Sequence, residues 1–154
     1  MTDTERGPIV NWFNRNYNFN LSKQASDEEI KVCTIKLIQM RLNQLQPEKQ
    51  IEVNGEYDKP TYLGVQRHLC IKYYKENDSD LIYYILRIIL TINGYYCAFN
   101  GCFDNELKRQ LQKYKVDYVR KSNHNISYGF YIDHRVWYSL FKSNEEIMEV
   151  NKNE

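Results

Sequence analysis

The side chains able to do chemistry are His68, His124 and His134, four cysteines, scattered carboxylates and an unusually large set of 14 tyrosines. A zinc site needs Cys and His ligands at short, fixed spacings. Cys33, Cys70, Cys97 and Cys102 contain no Cys-x-x-Cys pair, and the stretch Cys97-Ala-Phe-Asn-Gly-Cys102 is not a zinc spacing. Ser122-x-His124, followed by Asp133, lacks the Glu-x-x-His that would complete a zinc site with its base. His68 reads as a packing residue. The chain has no Gly-x-Ser-x-Gly elbow, no phosphate-binding glycine loop and no His-Glu-x-x-His. Glu145, Glu146 and Glu149 fall in a charged tail, and no stretch reads as the cleft that a glycosidase carboxylate pair needs. The expectation is a protein that is not an enzyme and uses no metal and no cofactor, with free and mostly buried thiols. The tyrosines point elsewhere. A flat ring stacks on a sugar face and its hydroxyl bonds to the ligand, so exposed tyrosines suit glycan or protein contact. Tyr62, Tyr95, Tyr96, Tyr128 and Tyr131 lie in or beside loops.

These side chains must be positioned by helices. Only 6 glycines and 3 prolines occur in 154 residues, too few for a loop-rich β fold. The length suits one compact domain or two very small ones. Residues 1–26 are rich in Asn, with Trp12, Phe13, Tyr17 and Phe19 among them, and read as an aromatic arm with one short helix at Pro8–Asn14. Ser26-Asp27-Glu28-Glu29 starts an amphipathic helix that ends near Gln46-Pro47. The pattern predicts further helices over 59–74, 78–93, 105–120 and 134–142. The apolar run Leu81–Ile92 is about 12 residues, well short of the roughly 20 that span a bilayer, so it reads as a buried core helix.

An internal repeat organises the middle of the chain. At an offset of 46 residues, Asn54-Gly55 meets Asn100-Gly101, Tyr57-Asp58 meets Phe103-Asp104, and Thr61 and Val65 meet Leu107 and Leu111. Upstream, Ile35, Arg41 and Leu42 meet Leu81, Arg87 and Ile88. Each copy reads as helix, loop, Asn-Gly-x-aromatic-Asp, helix. Glycine permits a sharp turn at positive φ. The aspartate after the aromatic is a good N-cap, and Pro60 fits the first turn that follows.

The pattern Gly-x-(Tyr/Phe)-Asp-x-x-(Thr/Leu)-x-x-x-(Val/Leu) resembles the peptidoglycan-binding domain found beside many cell-wall hydrolases. Copy two carries Gly101, Phe103, Asp104, Leu111 and Tyr114, then Gly129, Asp133, Val136, Trp137 and Leu140, similar to that family's closing Thr-Trp-x-x-Leu with Val for Thr. Copy one carries Gly55, Tyr57, Asp58, Thr61 and Val65 but no closing Trp segment. The resemblance covers roughly residues 28–142. It implies an all-α fold of two tandem three-helix modules: an arm (1–26), a first and possibly incomplete copy (27–77), a second copy (78–143) and a charged tail (144–154). It also implies non-catalytic binding of a peptidoglycan stem peptide or glycan. The candidate contact residues are Tyr57, Asp58, Tyr62, Phe103, Asp104, Tyr128, Tyr131 and Trp137, with Gly55, Gly101 and Gly129 shaping the loops.

No apolar signal core follows the polar stretch Met1–Gly7, so synthesis in the cytoplasm is expected. Together with the resemblance this points to a part of a larger assembly acting at the bacterial wall: a phage, a phage-tail-like particle or a lysis system, with protein partners and no membrane insertion. One alternative is a structural subunit that keeps the bundle without binding glycan and docks a partner through its arm. A second is a small helical nucleic-acid regulator using Lys108, Arg109, Lys113, Lys115 and Arg120. Nucleic acid is the less expected partner, because a net charge of +1 offers few phosphate contacts.

Overall fold

The computed structural model describes residues 1–71, 81–126, 129 and 131–142. Among them the fold is all-α, and Ile71 and Ile132 form an isolated antiparallel bridge. The helices are α1 (Asp3–Tyr17), α2 (Asp27–Leu45), α3 (Lys59–His68), α4 (Leu81–Ile92), α5 (Asn105–Ser122) and α6 (His134–Phe141).

In the N-terminal segment the helix is longer than the expected Pro8–Asn14, running over Asp3–Tyr17. Thr2 and Glu5 form a reciprocal capping box, with the Thr2 hydroxyl accepting from Glu5 N at 3.2 Å and the Glu5 carboxylate accepting from Thr2 N at 3.2 Å. That start carries α1 through Pro8, whose ring removes one internal hydrogen bond. Burial of Ile9, Val10 and Phe13 offsets the loss. Trp12 packs on the chain's own rings, stacking on Tyr84 with centroids 4.9 Å apart and meeting Phe99 edge-on at 5.4 Å.

α4 is the axis of the bundle. Ile85 to Leu90 are each 1% exposed or less, so this helix is enclosed on every side, as a sequence apolar but for Arg87 and Thr91 implies. It packs against α2, α5 and α6, while α3 bridges α2 and α6. Gly64 lets α3 sit close on α2: a Cβ there would fall 2.8 Å from Leu42 Cδ1. The buried apolar residues of both copies join in one continuous core.

α3 is shorter than its pattern predicts. Its C-cap is Leu69, and Ile71 leaves the helix to exchange two hydrogen bonds with Ile132 at 2.8 and 2.9 Å. The rest of the expected 59–74 helix lies outside the described residues. His68, expected to pack, is the last residue of α3 and is exposed. No helix among the described residues is long and apolar enough to cross a membrane.

Candidate functional site

The two Asn-Gly-x-aromatic-Asp loops fold by the same local bonds. Asn54 Oδ1 accepts the amide of Glu56 at 3.0 Å, and Asn100 Oδ1 accepts the amide of Cys102 at 2.9 Å. Asp58 caps α3 by accepting Thr61 N at 3.1 Å, and Asp104 caps α5 by accepting Leu107 N at 3.0 Å. These four bonds superpose at the 46-residue offset. Gly55 makes the turn of the first loop at φ +76°.

A buried polar side chain from the preceding helix pins each loop, and the two differ. Gln39 Oε1 accepts from Asn54 N and Gly55 N, both at 3.0 Å, while its Nε2 donates to Asn54 Oδ1 at 2.8 Å and to Glu56 O and Thr61 Oγ1, both at 2.9 Å. In the second loop the fully buried Arg87 does this work. It donates to the carbonyls of Ala98 (2.6 Å) and Cys102 (2.9 Å) and to Asp104 (2.7 Å) and Glu106 (3.1 Å). Arg41, its repeat counterpart, is only half-buried. Burial alone would raise the Asp58 carboxyl, but hydrogen bonds from Thr61 and Asn54 outweigh it and hold it below the usual carboxylate range. Asp104 is held low in the same way, by the Leu107 amide and the Arg87 guanidinium against the effect of burial. The two aspartates are caps occupied by their own helices.

Three expected contact residues lie in the core. Tyr57, Phe103 and Trp137 are 3, 0 and 1% exposed. Tyr57 stacks on Phe141 at 4.9 Å, and Phe103 packs against Tyr83 at 5.3 Å. Trp137 donates its indole N–H to Leu69 O at 2.9 Å. An aromatic in a loop motif fills whichever side the chain turns towards; Tyr57 and Phe103 turn inward, and Trp137 lies on the buried face of α6. Gly129 adopts φ +76° with open space where a Cβ would stand.

Tyr62 and Tyr131 are half-buried and reach the surface. Tyr62 meets His134 and Tyr138 edge-on at 5.4 and 5.5 Å, which joins the start of α3 to α6. Tyr128 lies outside the described residues. Of the five cations expected on a nucleic-acid face, Lys115 is 1% exposed and donates to the carbonyls of Gly129 and Tyr131. Lys108 lies over the Phe103 ring, 5.9 Å from its centroid. Arg109, Lys113 and Arg120 remain exposed. No group of three or more His, Cys, Asp or Glu side chains placed to hold a metal occurs among the described residues.

The structure also forms a cleft that the sequence reading did not assemble. Asn93, Tyr95, Tyr114, Tyr118, Lys121, Ser139 and Lys142 line about 270 Å³ between the α4–α5 turn, the second half of α5 and the end of α6. Tyr95 alone among these had been noted as a loop tyrosine. The signal in the sequence was Tyr114 and Tyr118, one helical turn apart on the same face of α5. Burial, reinforced by the Asp117 carboxylate, lifts the Tyr95 hydroxyl to about 12, and burial also raises Tyr114 and Tyr118. All three are neutral phenols at physiological pH.

Comparison with known proteins finds no matching family model, no significantly similar curated protein and no significantly similar solved structure.

Proposed function

We propose that this protein is a non-catalytic module that binds bacterial cell wall, taking a peptidoglycan stem peptide or glycan, as one part of a larger particle or lysis system. The observation that carries this reading is the twin loop. Two segments 46 residues apart make the same asparagine turn and the same aspartate cap, each opening a helix, in the order that resembles the peptidoglycan-binding domain. The loops act as scaffold, so ligand contact falls to the tyrosines that reach the surface around them. Tyr62 and Tyr131 serve near the first loop and the closing segment, and the tyrosine-lined cleft serves the second copy. Two weak contacts on one rigid body raise apparent affinity through effective concentration. Cosedimentation of the purified chain with insoluble sacculi tests the reading. Wild type in the pellet and Tyr62→Ala shifted towards the supernatant supports it.

A second reading is a subunit of an assembly that has kept the bundle as a scaffold. Its support is the half-buried aromatic group Trp12, Tyr17, Phe19, Tyr84 and Phe99 on α1, α4 and their neighbouring loops. No association with sacculi, together with loss of a native partner on Trp12→Ala, favours this alternative.

A further inference from the structure

The hydrogen-bond directions inside the tyrosine-lined cleft can be worked out proton by proton. Ser139 Oγ donates its only proton to Val136 O at 2.7 Å. The 2.7 Å bond between Tyr114 and Ser139 must then run from the phenol to the serine. Tyr95 spends its proton on Asp117 Oδ2 at 2.7 Å. Asn93 spends both amide hydrogens, on Ile89 O at 2.7 Å and Leu140 O at 3.0 Å, and those two carbonyls fix which end of the amide faces them. The oxygens of Tyr95, Tyr114 and Asn93 are left with lone pairs only.

Those three groups face the cleft as acceptors only. Its donors are the Tyr118 hydroxyl and two cations, Lys121, which is exposed, and Lys142, which is half-buried. Neither makes an ion pair among the described residues. A complementary ligand donates hydrogen bonds inward through hydroxyl or ammonium groups and turns an anionic group towards the lysines. The volume of about 270 Å³ holds one sugar ring or one amino acid.

We propose that this cleft binds a small carboxylate that also carries hydroxyl or ammonium donors, that is, a sugar acid or a zwitterionic amino acid. The inference rests on the wall-binding reading only for the source of the ligand, since both chemistries occur in peptidoglycan. The cleft geometry stands without it.

The test titrates the full chain, labelled with ¹⁵N, with three probes: N-acetylmuramic acid, N-acetylglucosamine and diaminopimelic acid. N-acetylglucosamine has the same ring as the first but lacks its carboxylate. The expected result is saturable shifts of amides at Asn93, Tyr95, Tyr118, Lys121, Ser139 and Lys142 with one or both carboxylate probes. The neutral sugar should bind at least about tenfold more weakly, and the double variant Lys121→Gln/Lys142→Gln should lose about tenfold in affinity for the carboxylate. The stronger of the two carboxylates identifies the source as sugar acid or amino acid. Shifts centred elsewhere, equal binding of charged and neutral sugars, or no shift at about 10 mM probe overturns the proposal. Sedimentation with sacculi separates the two claims. A silent cleft in a chain that pellets overturns the cleft alone, and an occupied cleft in a chain that does not pellet overturns the wall reading alone.

Discussion

The indole N–H of Trp137 in α6 donates to the carbonyl of Leu69, the C-cap of α3, at 2.9 Å across 68 residues of sequence. The segment that reads as the closing piece of the second copy thus closes on the first. The Ile71–Ile132 bridge and the Tyr57–Phe141 stack tie the same two segments together. The copies share one core and should melt as one unit. Trp137→Phe removes the donor, leaves a buried carbonyl unmatched and opens space, at a cost of about 2–4 kcal/mol. Urea unfolding followed by circular dichroism should show a single transition at lower midpoint. Two separated transitions, in wild type or variant, would contradict a shared core.

Tyr57 presents the opposite case. Its hydroxyl is buried and has no hydrogen-bond partner among the described residues, while its ring stacks on Phe141. Burial holds the phenol neutral, well above its ordinary range. Tyr57→Phe keeps the ring and deletes the unmatched polar atom, so stability should be unchanged or rise by about 1 kcal/mol. Tyr57→Leu, which deletes the stack as well, should destabilise by about 1–3 kcal/mol. Thermal melts of the two variants side by side decide. A Phe variant as damaged as the Leu variant would show that the hydroxyl carries a structural bond.

Gly55 and Gly129 share φ +76° but not their surroundings. A Cβ on Gly55 would stand 2.6 Å from Val32 Cγ1, whereas nothing lies within 4 Å of one on Gly129. Gly129→Ala should cost only the left-handed backbone term of about 1–2 kcal/mol. Gly55→Ala adds overpacking against α2 and should cost about 2–4 kcal/mol. Equal melting temperatures for the two variants would contradict the close approach of the first loop to α2.

Lys115 makes stability depend on pH. Burial lowers its ammonium to about 8 from 10.5, partly countered by the Asp133 carboxylate. Between those values the folded state binds fewer protons than the unfolded state, so this group's contribution rises with pH across that window. Burial has raised Cys97 to about 12 and raised several tyrosines, and these groups act in the opposite sense above about pH 9. The difference between wild type and Lys115→Met isolates the lysine. Wild type should gain roughly 2 kcal/mol on the Met variant between pH 7 and pH 9.5. A difference independent of pH would show that Lys115 is not desolvated.

Much of the helical frame was legible because its signals are local. Ser26, Asp58 and Asp104 stand at helix starts and cap them, and the apolar run of α4 is the buried axis it reads as. The N-terminal helix was legible only over Pro8–Asn14, because proline reads as a first turn, although Thr2-x-x-Glu5 spells the capping box that starts it at Asp3. The inward turn of Tyr57 and Phe103 could not be read, because one aromatic in a loop has no periodicity to say which side it faces. No local pattern encodes that α3 stops at His68 or that Ile71 pairs with Ile132. The cleft needs a turn, a helix face and a helix end from three separate segments, and only packing brings them together.

Sedimentation with purified sacculi, stripped of teichoic acids, separates a wall-binding chain from a scaffold. The chain should pellet with sacculi at both low and high salt, because the contact is aromatic stacking and hydrogen bonding rather than diffuse charge. Tyr62→Ala should reduce the pelleted fraction without lowering the melting temperature by more than a few degrees. A chain that stays in the supernatant at both salt concentrations, while folded, contradicts the account.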